Sequence, residues 1–486
     1  MNRIFIAGLA CWVFFSGVVA QEPSAKWDLR RCIEYAAKNN ISVKQADVQA
    51  RLSRLDVDKA KWAQYPNLGF STNLGTQWGR SIDPTTNLFT TTQLLYQGAT
   101  LSTGAQIFNW GALQSDKKIA AFNAQAAVTD VERITNDISL NIATYFLQVV
   151  AAKQQIEIAE VQLEQTKFQL GFTRKKVDAG TLPELSAAEI EAQLARDTTT
   201  LVNAQASFSQ ALIQLKAAIS LDMATPFEVE IPAVESIFLA PLADLEPAGL
   251  YQVALNAQPL QKVNAFKLKA ADESVKRARS AYYPTLSAFG TLGSNFANSA
   301  TEITGANVLG SKPTTNFVTV NNVNYQVYQP DIQILSQKRS FGGMWSGWGT
   351  QMDQNFRQSI GLQLTVPIFS NGSAKLGYQR AKLNLQTTEN NKQQADLTLQ
   401  QNIYQSFTNA KAAMLRYNAS QKSVEASQKA YDFAAKRYEA GLSNTLDLIT
   451  NQNNLLKAKL DRLNNQFDYI FRIKLLEFYK GQGIKL

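Results

Sequence analysis

In Phe356-Arg357-Gln358-Ser359-Ile360-Gly361-Leu362-Gln363-Leu364-Thr365-Val366-Pro367-Ile368-Phe369, the residues Ile360, Leu362, Leu364, Val366 and Ile368 alternate with Gly361, Gln363, Thr365 and Pro367. A strand of this pattern is apolar on one face and small or polar on the other. That is the wall of a membrane barrel, apolar toward lipid and polar toward a lumen. Segments 66–78, 96–108 and 284–296 are of similar length and rich in Thr, Leu, Phe and Gly, so the sequence predicts four strands, the fourth over 356–369. Pro66 and Pro284 stand where helical patterning gives way to strand, a place where a missing N–H breaks no ladder.

Four strands cannot close a barrel, because the smallest barrels use about eight and an open edge in lipid leaves backbone groups unsatisfied. The chain must therefore oligomerise. Two copies would give a barrel filled by side chains, whereas three would give twelve strands and a lumen. A conduit favours three.

Outside the strands the pattern is helical and long. No proline interrupts 112–179, and Ile134, Ile138, Ile142, Tyr145, Val149 and Ala152 recur at three-four spacing. At 1.5 Å per residue this coiled-coil-like helix reaches about 100 Å, as does a second over 374–440. Gly180 and Gly441 end these helices in the position where a left-handed residue is expected. The chain then returns through helices 183–220 and 444–479, making two antiparallel hairpins.

The two halves resemble each other. Ile107-Phe108-Asn109-Trp110-Gly111 parallels Ile368-Phe369-Ser370-Asn371-Gly372, and Asp178-Ala179-Gly180 parallels Glu439-Ala440-Gly441 without a gap. An internal duplication is expected, with repeats over 21–246 and 247–486 that also include helices 28–63 and 248–282. A linker rich in proline, 222–246, separates them. Residues 297–355, rich in Asn, Gly and Thr, read as a long extracellular loop, with an ordered plug as the alternative.

Arg3 precedes an apolar run from Ile4 to Val19, and small residues lead to Ala20, so 1–20 reads as a signal peptide. Cys11 follows Gly8-Leu9-Ala10, a poor context for lipidation, and the apolar run continues past it. Removal of this segment leaves Cys32 alone, which excludes an intrachain disulfide. The chain has no histidine, so the commonest general base and metal ligand is missing. Its carboxylates are spread along helix faces, and no cofactor, metal or catalytic constellation is expected. The formal charge of +9 is scattered among polar residues, which reads as a solvated surface rather than a nucleic-acid interface.

Ala434-Ala435-Lys436-Arg437-Tyr438-Glu439-Ala440-Gly441, with Leu446-Asp447-Leu448-Ile449 and the helix through Lys480, resembles the most typical segment of the TolC-type outer membrane efflux family. The resemblance implies an α+β membrane protein, a homotrimer in the outer membrane of a Gram-negative bacterium. A twelve-stranded β-barrel would continue into an α-helical barrel crossing the periplasm. It implies a passive channel of a tripartite efflux system exporting small molecules, docking a periplasmic adaptor (membrane fusion) protein and an inner membrane transporter. Alternatives are type I protein secretion, metal efflux, or a periplasmic coiled-coil spacer.

The resemblance places adaptor docking at two tips, Ala179-Gly180-Thr181 and Ala440-Gly441-Leu442. It places a periplasmic gate beside them. Tyr438 and Asp447 match the family's gate pattern, whereas Ser443, Thr450 and Ser186 occupy its arginine, second aspartate and acidic positions. Glu184 and Asp178 are candidates to replace part of the closing network. Asp447 reads either as a carboxylate ring at the constriction or as a cap near the start of the returning helix.

Overall fold

The computed structural model describes residues 26–82, 89–90, 93–230 and 237–481. The expected signal peptide and residues 231–236 of the expected linker lie outside the described residues. In chain order the elements are α1 (Leu29–Asn39), α2 (Ile41–Trp62), β1 (Asn67–Gln77), β2 (Ser81–Ile82), β3 (Phe89–Thr90), β4 (Leu94–Phe108), α3 (Ala112–Asp178) and α4 (Glu184–Ile219). They continue with α5 (Pro247–Ala257), α6 (Pro259–Ser280), β5 (Thr285–Ser299), β6 (Thr301–Val320), β7 (Val323–Lys338), α7 (Trp348–Gln354), β8 (Arg357–Thr365), α8 (Ser373–Glu439) and α9 (Thr445–Tyr479). The described residues fall into two compact units, one drawn from 1–54, 122–269 and 386–486, the other from 55–121 and 270–385.

The second unit is built on an antiparallel sheet in the order β1-β4-β5-β8. Residues paired across an antiparallel ladder share a face, so the register separates the side chains cleanly. Leu68, Phe70 and Leu74 lie with Leu101, Leu286, Leu292, Ile360, Leu362 and Leu364. Asn67, Ser71, Asn73, Ser102, Thr291, Asn295, Arg357, Ser359 and Gln363 share the opposite face. The apolar face is largely bare, with Ile360 at 91% exposure. On the polar face two aromatic rings lie across glycines. A side chain at Gly361 would meet the Phe289 ring at 2.8 Å, and one at Gly75 the Tyr96 hydroxyl at 2.6 Å.

Aromatic side chains mark both ends of this sheet. At the helix-to-strand junctions Trp110 packs on Tyr283 (4.7 Å between centroids) and on Phe108 (5.3 Å), and Trp62 packs on Tyr65 (5.4 Å). At the other end Trp345 stacks on Phe296 at 5.7 Å, beside Met344 and Leu95. Trp348 Nε1 donates to Gln97 Oε1 at 2.7 Å, and Ser294 Oγ donates to Met352 O at 2.6 Å. Leu95, Gln97, Ser294 and Phe296 all belong to the apolar face, so it is that face which these residues between β7 and β8 cover.

The first unit is helical. Ile142, Phe146, Val149 and Val150 of α3, Leu215 and Ile219 of α4, Phe467 and Ile470 of α9, and Cys32 and Ala36 of α1 form one core cluster. Full burial of each large aliphatic side chain contributes roughly 1.5–3 kcal/mol. Trp27 runs parallel to the strand-like segment at Val229, its N–H donating to Glu228 O at 2.8 Å.

Several elements differ from expectation. The helix expected over 28–63 is two, α1 and α2, because Asn40 is extended (ψ 132°) and its side chain bonds to α4 and to the start of α2. Its Nδ2 donates to Ala218 O at 3.0 Å, and its Oδ1 accepts from Ser42 N at 2.9 Å. The helix expected over 248–282 is likewise split at Gln258, extended (ψ 126°) as a residue before proline tends to be. Its Nε2 donates to Phe478 O at 3.0 Å. The strand expected over 356–369 stops at Thr365, since Pro367 has no N–H to extend the ladder.

Residues 297–355 are not an irregular loop. β5 continues to Ser299, and β6 and β7 form a long hairpin. Asn321 and Asn322 turn it with φ of 49° and 62°, a pair of left-handed residues suited to a two-residue hairpin. A single turn at Gly343–Trp345 and α7 complete the segment.

Candidate functional site

Each long helix ends in the same way. After α3, Gly180 has φ 72°, Gly180 N donates to Val177 O (2.8 Å) and Thr181 N to Lys176 O (2.8 Å). After α8, Gly441 has φ 77°, Gly441 N donates to Tyr438 O (3.0 Å) and Leu442 N to Arg437 O (2.8 Å). These bonds satisfy carbonyls that the last turn would leave unpaired, and the left-handed residue makes them possible. Ala179, Gly180, Thr181, Ala440, Gly441 and Leu442 are all exposed. Lys175, Lys176, Lys436 and Arg437 crowd the last turns, where cations oppose the helix dipoles.

The two turns are tied together. Lys176 Nζ donates to Glu439 O at 2.6 Å. Beneath this link Tyr438, 1% exposed, packs against Ile190, Leu448 and Ile449. Its hydroxyl meets that of Thr173 at 2.9 Å. Thr173 was not among the residues singled out by sequence. Its signal is a polar residue in the apolar stripe of α3, one heptad before Gly180.

The other sequence candidates divide. Ser443 Oγ donates to Asp447 Oδ2 at 3.0 Å, while Asp447 N donates to Asn444 Oδ1 at 2.8 Å. Asp447 is thus exposed in the first turn of α9, where a carboxylate opposes the helix dipole. Ser186 is buried, with its N–H donating to Pro183 O at 3.0 Å. Glu184 and Asp178 are exposed, and among the described residues neither is bonded to Tyr438. An ion pair between Arg174 and Glu191 joins α3 to α4 instead.

Deeper in the hairpins lies a buried polar cluster that periodicity alone does not reveal. Asp197, 2% exposed, accepts from Thr166 Oγ1 through Oδ2 and from Gln193 Nε2 through Oδ1 at 2.8 Å. Gln452 Nε2 donates to Thr166 Oγ1 at 2.8 Å, and Gln193 Nε2 reaches Asn453 Oδ1 at 3.0 Å. Three helices, α3, α4 and α9, are therefore pinned by one carboxylate and its amide and hydroxyl partners. A buried carboxylate is tolerable only with such partners.

Among the described residues, no group of His, Cys, Asp and Glu is placed to hold a metal ion. No helix among them is long and apolar enough to cross a membrane.

Residues 32–220 and 250–470 match the family described as outer membrane efflux protein. The chain is 24% identical over 283 residues to the probable outer membrane lipoprotein SilC of Salmonella typhimurium, covering 58% of each chain. It is 22% identical over 295 residues to the pyoverdine export outer membrane protein OpmQ of Pseudomonas putida, over 57% of this chain and 59% of that one. The aligned regions thus span less than two thirds of either relative. Solved structures match over most of their length. CusC aligns with a TM-score of 0.68 at 16% identity, covering 96% of both chains. VceC of Vibrio cholerae aligns with a TM-score of 0.69 at 17% identity, covering 94% of this chain and 97% of that one. At these identities the likeness is one of fold.

Proposed function

The chain belongs to the outer membrane efflux protein family, and from that premise we propose that it is one protomer of a homotrimeric outer membrane channel. The channel carries small molecules out of a Gram-negative cell and catalyses no reaction.

The observation that carries this reading is a four-stranded sheet whose two outer strands, β1 and β8, each have one edge unpaired among the described residues, and whose apolar face is largely bare. In water such a sheet would aggregate. In lipid, three copies pairing β8 to β1 abolish the edges and enclose the polar face as a lumen. The apolar face runs from Leu286 to Phe296 on β5. At ~3.4 Å per residue and a tilt of about 40° it spans roughly 26 Å, close to the apolar band of such barrels, with its Phe296 end covered by Trp345. The aromatic pairs at its two ends, Trp110 with Tyr283 and Phe296 with Trp345, then sit where aromatic girdles are found.

Duplication of one unit accounts for the helical part. α3 and α8 each have 67 residues. Each is preceded by a positive-φ pair, Trp110-Gly111 or Asn371-Gly372, and followed by a positive-φ glycine. The exposed turns at Gly180 and Gly441 are the docking tips for a periplasmic adaptor linked to an inner membrane transporter, and Tyr438 with Asp447 belongs to the gate beside them. Protein or metal-ion cargo would use the same wall, and the export role in the name of OpmQ favours a small solute. A periplasmic spacer would have no use for the sheet.

The test is the mass of the detergent-solubilised mature protein together with its fractionation between membranes. A trimer in the outer membrane supports the channel; a soluble monomer or dimer overturns it.

A further inference from the structure

The strands β1, β4, β5 and β8 hold one charged side chain between them, Arg357 at the start of β8. Register puts it on the polar face. It stands opposite Gly293 and two residues from Ser359, whose hydroxyl meets that of Thr291 at 2.7 Å. Glycine opposite leaves the guanidinium room to lie over the ladder. Arg357 Nη2 donates to Asn295 Oδ1 at 3.0 Å, an acceptor that carries no charge. Among the described residues Arg357 makes no ion pair. With Asn73, Gln77, Tyr96 and Asn295 it lines a recess of about 370 Å³.

A cation kept on a wall otherwise built mostly of Asn, Gln, Ser, Thr and Gly, with the rings of Tyr96 and Phe289, invites a charge that no described residue provides. Arginine presents several N–H donors in a planar fork suited to oxyanions, and the neighbouring amides and hydroxyls add donors. Resting on the trimeric channel reading above, we infer that Arg357 from three protomers forms an anion-selecting ring in the half of the lumen away from the helix junctions. A twelve-stranded wall at ~4.7 Å strand spacing and about 40° tilt has a radius on the order of 12 Å. The guanidinium groups, laid over the ladder, stand just inside that wall, at distances from the axis on the order of a screening length of about 8 Å. Their fields overlap on the axis, as in pores that select anions with rings of basic side chains. The substrate class is a solute carrying carboxylate or phosphate-like oxygens.

Calorimetric titration of the detergent-solubilised protein with inorganic tripolyphosphate tests this, and binding to the barrel does not require the tips to open. The expected result is one tripolyphosphate per three chains, at least tenfold weaker binding by Arg357→Gln, and intermediate binding by Arg357→Lys. Arg357 is exposed, so neither substitution disturbs a core. Equal binding by Arg357→Gln and wild type, or no binding by a wild-type protein whose mass is that of a trimer, overturns the ring. A monomeric mass in the same preparation overturns the channel reading itself.

Discussion

The hydroxyl of Tyr438 on α8 lies 2.9 Å from that of Thr173 on α3, with both side chains buried. This bond joins the two hairpins at the level where their tips meet, so anything that separates the tips must break it. Tyr438→Phe removes the bond, keeps the ring against Ile190 and Leu448, and leaves the Thr173 hydroxyl without this partner. The expected cost is about 1–2 kcal/mol. A lowered Tm and a raised basal conductance in planar bilayers check it, and Thr173→Val in the same background should add little. Unchanged conductance would remove Tyr438 from the gate.

Asp197 is the anchor of the deeper cluster, and its replacement should be felt in three helices at once. Asp197→Ala leaves the Thr166 hydroxyl and the Gln193 amide without a partner they now share. The loss should be on the order of 2–3 kcal/mol, because bonds to a charged acceptor are the stronger ones. Denaturant unfolding measures it, and a Thr166→Val, Asp197→Ala pair should be strongly non-additive. Additive losses would mean the cluster is only a set of independent contacts.

Burial pushes the Cys32 thiol up to about 12, with Asp28 adding to the effect. In the unfolded chain a thiol titrates near 8.5, so the folded state binds this proton more tightly. The stabilising contribution is fully present below about pH 8.5 and is lost progressively as pH rises through the range up to about 12. Folded protein at pH 8 should therefore resist alkylation by iodoacetamide, and urea-unfolded protein should react within minutes. Fast labelling of the native protein would show that α1 opens readily.

Ile360 and Ser359 are neighbours on β8 that point to opposite faces. Ile360→Arg puts a charge on the apolar face, which costs about 2–4 kcal/mol near the middle of a bilayer. Ser359→Arg adds the same charge to the polar face and should be tolerated. The yield of heat-resistant trimer in outer membrane fractions separates the two, and equal yields would count against a lipid-facing wall.

The candidate site was only half legible in the sequence. Gly180 and Gly441 stand out because a helix that must stop and turn needs a left-handed residue there, a local requirement that residue identity reveals. Thr173, Thr166 and Asp197 do not stand out. Each is a polar residue in a long helix, and even where one falls in an apolar stripe, as Thr173 does, the partner it meets is not written in the sequence. Likewise the ends of α1 and α5 turn on what Asn40 and Gln258 bond to, Ala218 O and Phe478 O, far along the chain.

Sequence alone determined what depends on period and on local backbone chemistry. The two-residue alternation of Ile360, Leu362 and Leu364 answers to a sheet with unlike faces, and the proline-free three-four spacing of 112–178 answers to a long helix. The hairpin of β6 and β7 was as local as these, written in Asn321-Asn322 between β-branched residues, and composition hid it. The tertiary structure decided which polar side chains would meet. Tyr438 pairs with Thr173, Asp197 with Thr166, and Arg357 with no carboxylate among the described residues. The reason is physical. Periodicity sets the face on which a side chain lies, whereas the partner it finds depends on the axial register of packed helices and strands, which long-range packing fixes.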